Sequence, residues 1–395
     1  MTGPLSGVRV LDLTSTIMGP YSTQILGDMG ADVIKVEAPE GDVMRGQGSA
    51  RAPGMGPVHL ALNRNKRSLV LDLQQESARR ALLRLARTSD VFVHSMRPGA
   101  IARLGLGYEQ LREINARIVY CRAVGFGADG PYAERPGYDD LMQGLSGMCA
   151  LNTVLAGEPR YTPTAIADKA VGLTVAYALL GALYHAQRTG QGQCVEVPMF
   201  ESMVSFLMVE HLGDKTYDFD HGDFGYPRLL SPKRKPFATK DGHLCVLPFT
   251  DRHWRDFAAL VGRPDWATDA RLSTVKARGE NFELQYSLMA EALRERPSAE
   301  WLADMERLSI PAAPAVRMAD VFADPHLSAT KTFTQVEQPT IGKVTQIKPP
   351  VTFSATPSSI RRPAPRLGEH SEEILREAGL TESEIAEMKS SGACV

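Results

Sequence analysis

Apolar positions in the first third of the chain come in short dense runs separated by amphipathic stretches. Residues 8–13 (VRVLDL), 32–37 (DVIKVE), 68–73 (SLVLDL), 90–96 (DVFVHSM) and 117–127 (RIVYCRAVGFG) predict strands. Between them GPYSTQILGDMG, QQESARRALLRLARTS and GAIARLGLGYEQLREINA carry helical patterns. Strands alternating with helices imply βαβ units and an α/β fold whose open, largely parallel sheet is Rossmann-like. Ligands of such sheets bind beyond the carboxyl ends of the strands.

Residues 163–187, PTAIADKAVGLTVAYALLGALYHAQ, form a nearly unbroken apolar run with Asp168 and Lys169 near its start. The stretch 170–186 falls short of the roughly twenty apolar residues of a membrane span and contains Gly172, Gly181 and His185. A helix apolar on all sides is expected to be a core helix. QCVEVPMFESMVSFLMVE then supplies a strand and a helix, and 212–236, rich in Gly, Pro, Asp and Lys, reads as a linker or loop. The expected organisation is a large domain from both chain ends (1–211 and 325–395), the linker, and an inserted smaller α+β domain at 237–324. Thr381 and Glu384 have capping-box spacing for a last helix.

Composition narrows the function classes. The 395 residues are 43% hydrophobic, enough to fill domain cores. Lys and Arg total 44 against 46 Asp and Glu, so no strong field favours nucleic acid or an anionic membrane. Cys121, Cys149, Cys194, Cys245 and Cys394 lack metal-site spacing and read as reduced thiols, placing the chain in the cytoplasm with no metal. The start, MTGPLSGVRVLDL, has no signal-peptide pattern.

No GxGxxG follows the first strand, which disfavours a nicotinamide oxidoreductase, and there is no GxxxxGK[ST], GxSxG or HExxH. His94, His185, His243 and His370 stand apart, each read as structural or exposed. Basic residues cluster in NRNKRS (63–68), MRPGAIAR (96–103) and SPKRK (231–235), either as solvated loops or as phosphate ligands. Asp168 has two readings. It caps a helix, or it is a carboxylate kept ionised at a helix start and acting as a nucleophile.

Several stretches together resemble one family. GPLSGVRVLDLTSTIMGPYSTQILGDMGADVIKVEAP, LNRNKRSLVLDL, RPGAIARLGLGYEQLREINARIVYCRAVGFGADGPY, YDDLMQGLSGM, ADKAVGLTVAYALLGALYHAQRTGQGQCVEVPMFES and LGEHSEEIL are similar, in colinear order over nearly the whole chain, to the class III coenzyme A transferases of the CaiB/BaiF type. The resemblance implies transfer of CoA between an acyl-CoA and a free carboxylic acid, with Asp168 as nucleophile passing through a mixed anhydride and an aspartyl-CoA thioester. Tyr138 and Asp139 match a Tyr-acidic pair near that nucleophile. Thr16, Ile17, Met18, Met96, Arg97 and Arg103 match CoA contacts. No permanently bound cofactor is implied, CoA or acyl-CoA being substrate, and an interlocked homodimer is.

Two features set this chain apart within the resemblance. Ala38 stands where formyl-CoA transferases carry Arg, and YPRLLSPKRKPF replaces their glycine-rich loop, which disfavours formate and oxalate. Racemases of 2-methylacyl-CoA esters, the alternative in the same family, place a His where this chain has Tyr138. A non-catalytic acyl-CoA-binding protein is the other alternative, disfavoured by the presence of Asp168.

Overall fold

In the computed structural model, which describes residues 3–395, the apolar runs form one six-stranded sheet. Its strands are β1 (Arg9–Leu13), β2 (Asp32–Glu37), β3 (Lys66–Val70), β4 (Val91–His94), β5 (Val119–Val124) and β6 (Cys194–Pro198), in the order β3-β2-β1-β4-β5-β6. Every pairing is parallel. Side chains alternate between two cores: Leu11, Ile34, Leu69 and Phe92 enter one, and Val10, Val33, Val91 and Val93 the other. Burial on both faces is why these strands read as dense apolar runs.

Helices α1 (Met18–Asp28), α2 (Pro57–Leu62), α3 (Glu76–Ala86), α4 (Pro98–Arg103), α5 (Tyr108–Ile114), α6 (Asp139–Leu145), α7 (Met148–Ala156), α8 (Ile166–Thr189) and α9 (Met199–His211) accompany the strands. The long helix α8 is not buried all round, as its composition suggested. Val171, Val175, Leu179 and Ala182 pack into the core with Val10 and Val119, whereas Leu173, Tyr177 and Tyr184 are exposed. By length and composition α8 could cross a membrane, but its buried stripe is spent on the sheet. Gly172 is needed here, since a Cβ on it would lie 2.8 Å from the Met18 carbonyl oxygen and 3.0 Å from the Tyr21 ring. The close approach brings the start of α8 against the start of α1.

The basic run 63–68 is neither solvated nor free to bind phosphate. Arg64 pairs with Asp28 at 2.6 Å, Lys66 with Asp12 at 3.1 Å, and Arg67 with Asp32 at 2.7 Å, all three cations being buried. An approach of the chain's end to this edge completes the sheet. His370 N donates to Ser68 O at 3.0 Å, Val70 N to Ser371 Oγ at 3.2 Å, and Asp72 N to Ala393 O at 3.0 Å. Two C-terminal helices follow α14 (Pro325–Ala329), namely α15 (Ser371–Glu377) and α16 (Glu382–Ser390). They bury Ile374, Leu375, Ile385 and Met388 in the β2–β3 core. The expected capping box is formed by Thr381 and Glu384.

The chain divides into two compact units, one ending at Cys149 and resuming at Tyr161–Phe206 and His326–Val395, the other comprising Ala150–Arg160 and Leu207–Pro325. The second is built on a three-stranded antiparallel sheet, β7 (Phe237–Ala238), β8 (His243–Val246) and β9 (Ala312–Pro314), with α10 (Asp251–Leu260), α11 (Val275–Glu280), α12 (Phe282–Ala292) and α13 (Ser298–Arg307). Its core is aromatic: Trp254, Phe257, Trp266 and Trp301 are buried. Each tryptophan with a buried N–H finds an acceptor, Trp254 on Trp266 O at 3.1 Å and Trp301 on Leu293 O at 2.9 Å. Within this unit Lys233 reaches Glu283 at 3.0 Å, while Arg234 and Lys235 are exposed. The first unit also holds a hairpin, β10 (Phe333–Gln338) with β11 (Gly342–Ile347).

Candidate active site

The order β3-β2-β1-β4-β5-β6 reverses direction between β1 and β4, and that is where a crevice opens at the carboxyl ends of parallel strands. A cavity of about 640 Å³ lies there, lined by the residues that follow β1, β2, β4 and β5, and by Asp168. Thr16, Met18, Met96, Arg97 and Tyr138 share it with Asp168, as does Ala38. Two expected contacts fall elsewhere. Arg103 is exposed and lines a neighbouring cavity of about 620 Å³ with Met96, because it stands at the far end of α4 while Arg97 precedes its first residue. Ile17, the residue before α1, faces an apolar cavity of about 760 Å³ together with Lys169. Lys169 hydrogen-bonds Thr164 and takes no part in the Asp168 cavity.

Asp168 is not the cap of α8. The cap position belongs to Ala165, which offers no side-chain bond, and Asp168 sits in the first turn. Its own backbone N–H, one of the orphan donors of a helix start, donates to Asp139 Oδ1 at 3.0 Å. Asp139 therefore caps a helix other than its own. Its second oxygen accepts from Gln143 Nε2 at 2.7 Å, and Gln143 Oε1 accepts from Thr162 N at 2.8 Å, so the carboxylate is held on both sides.

The helix start, which favours an ionised carboxylate, is opposed here by burial and by acidic neighbours. Burial, followed by the negative charges of Asp139 and Asp140, pushes the Asp168 carboxyl up to about 7, against a lowering by a hydrogen bond from the Met18 backbone N–H. Only 8% of the residue is exposed. Removal from water and two acidic neighbours outweigh one amide and a helix end. Asp168 is thus poised between its acid and base forms near neutral pH.

Several cavity residues had escaped the reading of the sequence. Lys35, Glu37, Asp42 and Arg135 line the cavity with Asp168. Lys35 is fully buried and bonds Asp42 Oδ2 at 2.9 Å, and Glu37 pairs with Arg45 at 2.6 Å. Arg135 lays its guanidinium 3.9 Å from the centre of the Tyr132 ring and has no carboxylate partner among the described residues. The signal for Lys35 was present as a lysine inside the apolar strand DVIKVE, a place that admits charge only when it is paired. No histidine lines the cavity; His94 is buried just below it, with Nδ1 accepting from Met96 N at 3.2 Å, and burial followed by the charge of Arg122 lowers it to about 4. Among the described residues no group of three or more His, Cys, Asp or Glu could hold a metal ion, and the cysteines are free.

Comparison with known proteins places this geometry in a family. Residues 5–371 match the model of CoA-transferase family III. The succinate–glutarate CoA-transferase of Agrobacterium fabrum is 33% identical over 389 residues, covering 95% of each chain. The succinyl-CoA:glutarate CoA-transferase of Homo sapiens is 31% identical, over 95% of this chain and 86% of that one. The crystal structure of Rv3272 from Mycobacterium tuberculosis superposes with a TM-score of 0.81 at 30% identity, over 94% of this chain and 99% of that one. The chain belongs to CoA-transferase family III and is an enzyme of that class.

Proposed function

We propose that Asp168 carries CoA exchange between an acyl-CoA and a carboxylic acid as a covalent nucleophile. The observation that carries this reading is a buried carboxyl at the end of a cavity beyond the parallel strands, with the Met18 N–H directed at it. Ionised Asp168 attacks the donor thioester carbonyl, the C–S bond breaks, and a mixed anhydride and CoA thiolate result. The thiolate attacks the aspartyl carbonyl, expelling the donor acid as its carboxylate and leaving an aspartyl-CoA thioester. The acceptor carboxylate then displaces CoA to give a second anhydride, and thiolate attack on the acceptor's acyl carbon frees acceptor-CoA and Asp168. Burial of Asp168 serves this sequence by keeping water from the anhydride.

Short dicarboxylic acids are the acids we assign to it, since relatives that match nearly the whole chain are named for succinate and glutarate. The exposed Leu173, Tyr177 and Tyr184 on α8 support a homodimer that covers this stripe. Incubation with succinyl-CoA and a panel of mono- and dicarboxylates, read by mass of the acyl-CoA products, is expected to show transfer to dicarboxylates; hydrolysis alone would sink the reading.

The pH profile is the sharper test of the chemistry. With Asp168 titrating at about 7, kcat/KM for acyl-CoA is expected to rise tenfold per pH unit below 7 and to level off above it, because only the ionised form attacks. Asp139→Asn keeps an oxygen for the Asp168 amide but removes a negative neighbour, so the rising limb should move to lower pH. A limb that stays in place would show that Asp139 does not act through charge.

A titration near neutrality also suits a proton-transfer role, as in racemases of 2-methylacyl-CoA esters. A racemase needs a second base, and the cavity offers Tyr138 in place of a histidine. Uptake of deuterium at the α-carbon of 2-methylacyl-CoA from deuterium oxide, without an acceptor acid, would favour it.

A further inference from the structure

The loop between β1 and α1 carries a feature that Asp168 chemistry does not account for. Thr16, a β-branched residue, has φ of +65°, in the left-handed region that such residues rarely adopt. Its N–H points at Asp42, lying 3.3 Å from Oδ1 and 3.2 Å from Oδ2. Asp42 is fixed in turn from three directions. Lys35 Nζ donates to its Oδ2 at 2.9 Å, Met44 N donates to Oδ1 at 3.0 Å, and its own N–H is held by Glu37 Oε1 at 3.0 Å. The same Lys35 ammonium donates to Thr14 O at 3.1 Å. Lys35 thus grips one side of the turn directly and the other through Asp42.

Both charges are taken from water, Lys35 wholly and Asp42 nearly so. A buried ion pair gains little stability over apolar residues of the same shape, whereas it fixes directions. What it fixes here is the strand-to-helix turn whose residues Thr14, Ser15, Thr16 and Met18 line the cavity, and which leads in two residues from Thr16 to the N–H on Asp168. We infer that Lys35 and Asp42 are positioning residues that lock Thr16 in its left-handed conformation and so shape the β1–α1 loop to receive the CoA portion of the substrate. The inference rests on the proposed use of this cavity for acyl-CoA, but not on the covalent steps.

The test removes the lock and then relieves the strain it opposes. In Lys35→Met/Asp42→Ala, hydrogen exchange of the segment around Thr16 is expected to quicken tenfold or more, and calorimetric titration with CoA alone should show a Kd raised at least tenfold. Adding Thr16→Gly, which adopts positive φ freely, should recover at least threefold of that loss; a purely structural pair would not be rescued by a change in the loop. Should the alanine variant fail to fold, Lys35→Met/Asp42→Asn keeps the shape without the charges, and a Kd raised threefold or more with the same rescue is expected. Unchanged exchange at Thr16, a Kd within twofold of the parent, or no rescue by glycine would overturn the inference. A parent protein that binds CoA yet transfers no acyl group would sink the covalent reaction and leave the affinity results to judge the loop.

Discussion

Asp168→Asn is expected to lower kcat for acyl exchange by about 10⁴-fold or more while making the protein more stable at pH 8. The loss follows from removing the proposed nucleophile while keeping its shape; effects of that order attend the loss of a covalent catalyst. The gain follows from the electrostatics of the site. In the folded protein the carboxyl is held at about 7 rather than the ordinary 3.8. The folded state therefore keeps a proton that the unfolded chain has already released between those values, and stability falls as pH rises from about 4 to about 7. Above 7 the full penalty applies, and a neutral amide removes it, for a gain of about 2–4 kcal/mol. Urea unfolding should show that gain at pH 8 and little of it at pH 4.5. Residual exchange at a tenth of the parent rate would exclude Asp168 as nucleophile, and a gain independent of pH would exclude the electrostatic account.

The second large effect lies below the site. Asp12 is fully buried and accepts from Lys66 Nζ at 3.1 Å, Thr23 Oγ1 at 2.6 Å and Thr14 N at 3.0 Å. Burial alone would push its carboxyl up, but Lys66, Lys35 and the two threonine hydroxyls hold it down at about 2. Asp12→Ala leaves the Lys66 ammonium buried with only Pro20 O and Asn63 Oδ1 for partners, and breaking such a pair costs about 3–5 kcal/mol. Asp12→Leu combined with Lys66→Met removes both charges and should restore most of the loss. Denaturant midpoints of the single and double variants decide the matter. A double variant no better than the single would show that the hydroxyls and backbone groups around Asp12, rather than the ion pair, set the cost.

The strands of the large unit were legible because both faces of the sheet are apolar, so β1 and β2 appear within a residue of their expected positions. Strand β3 was expected to begin at Ser68, but it begins at Lys66, since cations in a strand look like loop until their buried partners Asp12 and Asp32 are known. Helix α8 was legible as a helix but not in its facing, because a run apolar on every side does not say that Val171 and Val175 turn inward while Tyr177 turns outward. At the site, local sequence showed a carboxylate at a helix start. The resemblance placed Asp139 beside that carboxylate, but it could not show that Asp139 arrives from α6 to cap the helix, nor that Ile17 and Arg103 diverge from Thr16 and Arg97 into other cavities. Those facts depend on which loops the sheet order brings together.

The hydrogen bonds that join His370, Ser371 and Ala393 to the backbone of residues 68–72 have a consequence for synthesis. The outer strand of a sheet assembled within residues 9–198 is sealed by residues 370–393, which are synthesised later. Until then β3 presents an open backbone edge of the kind that pairs with other chains. A chain lacking residues 370–393 would therefore leave the backbone of β3 open to pairing with other chains.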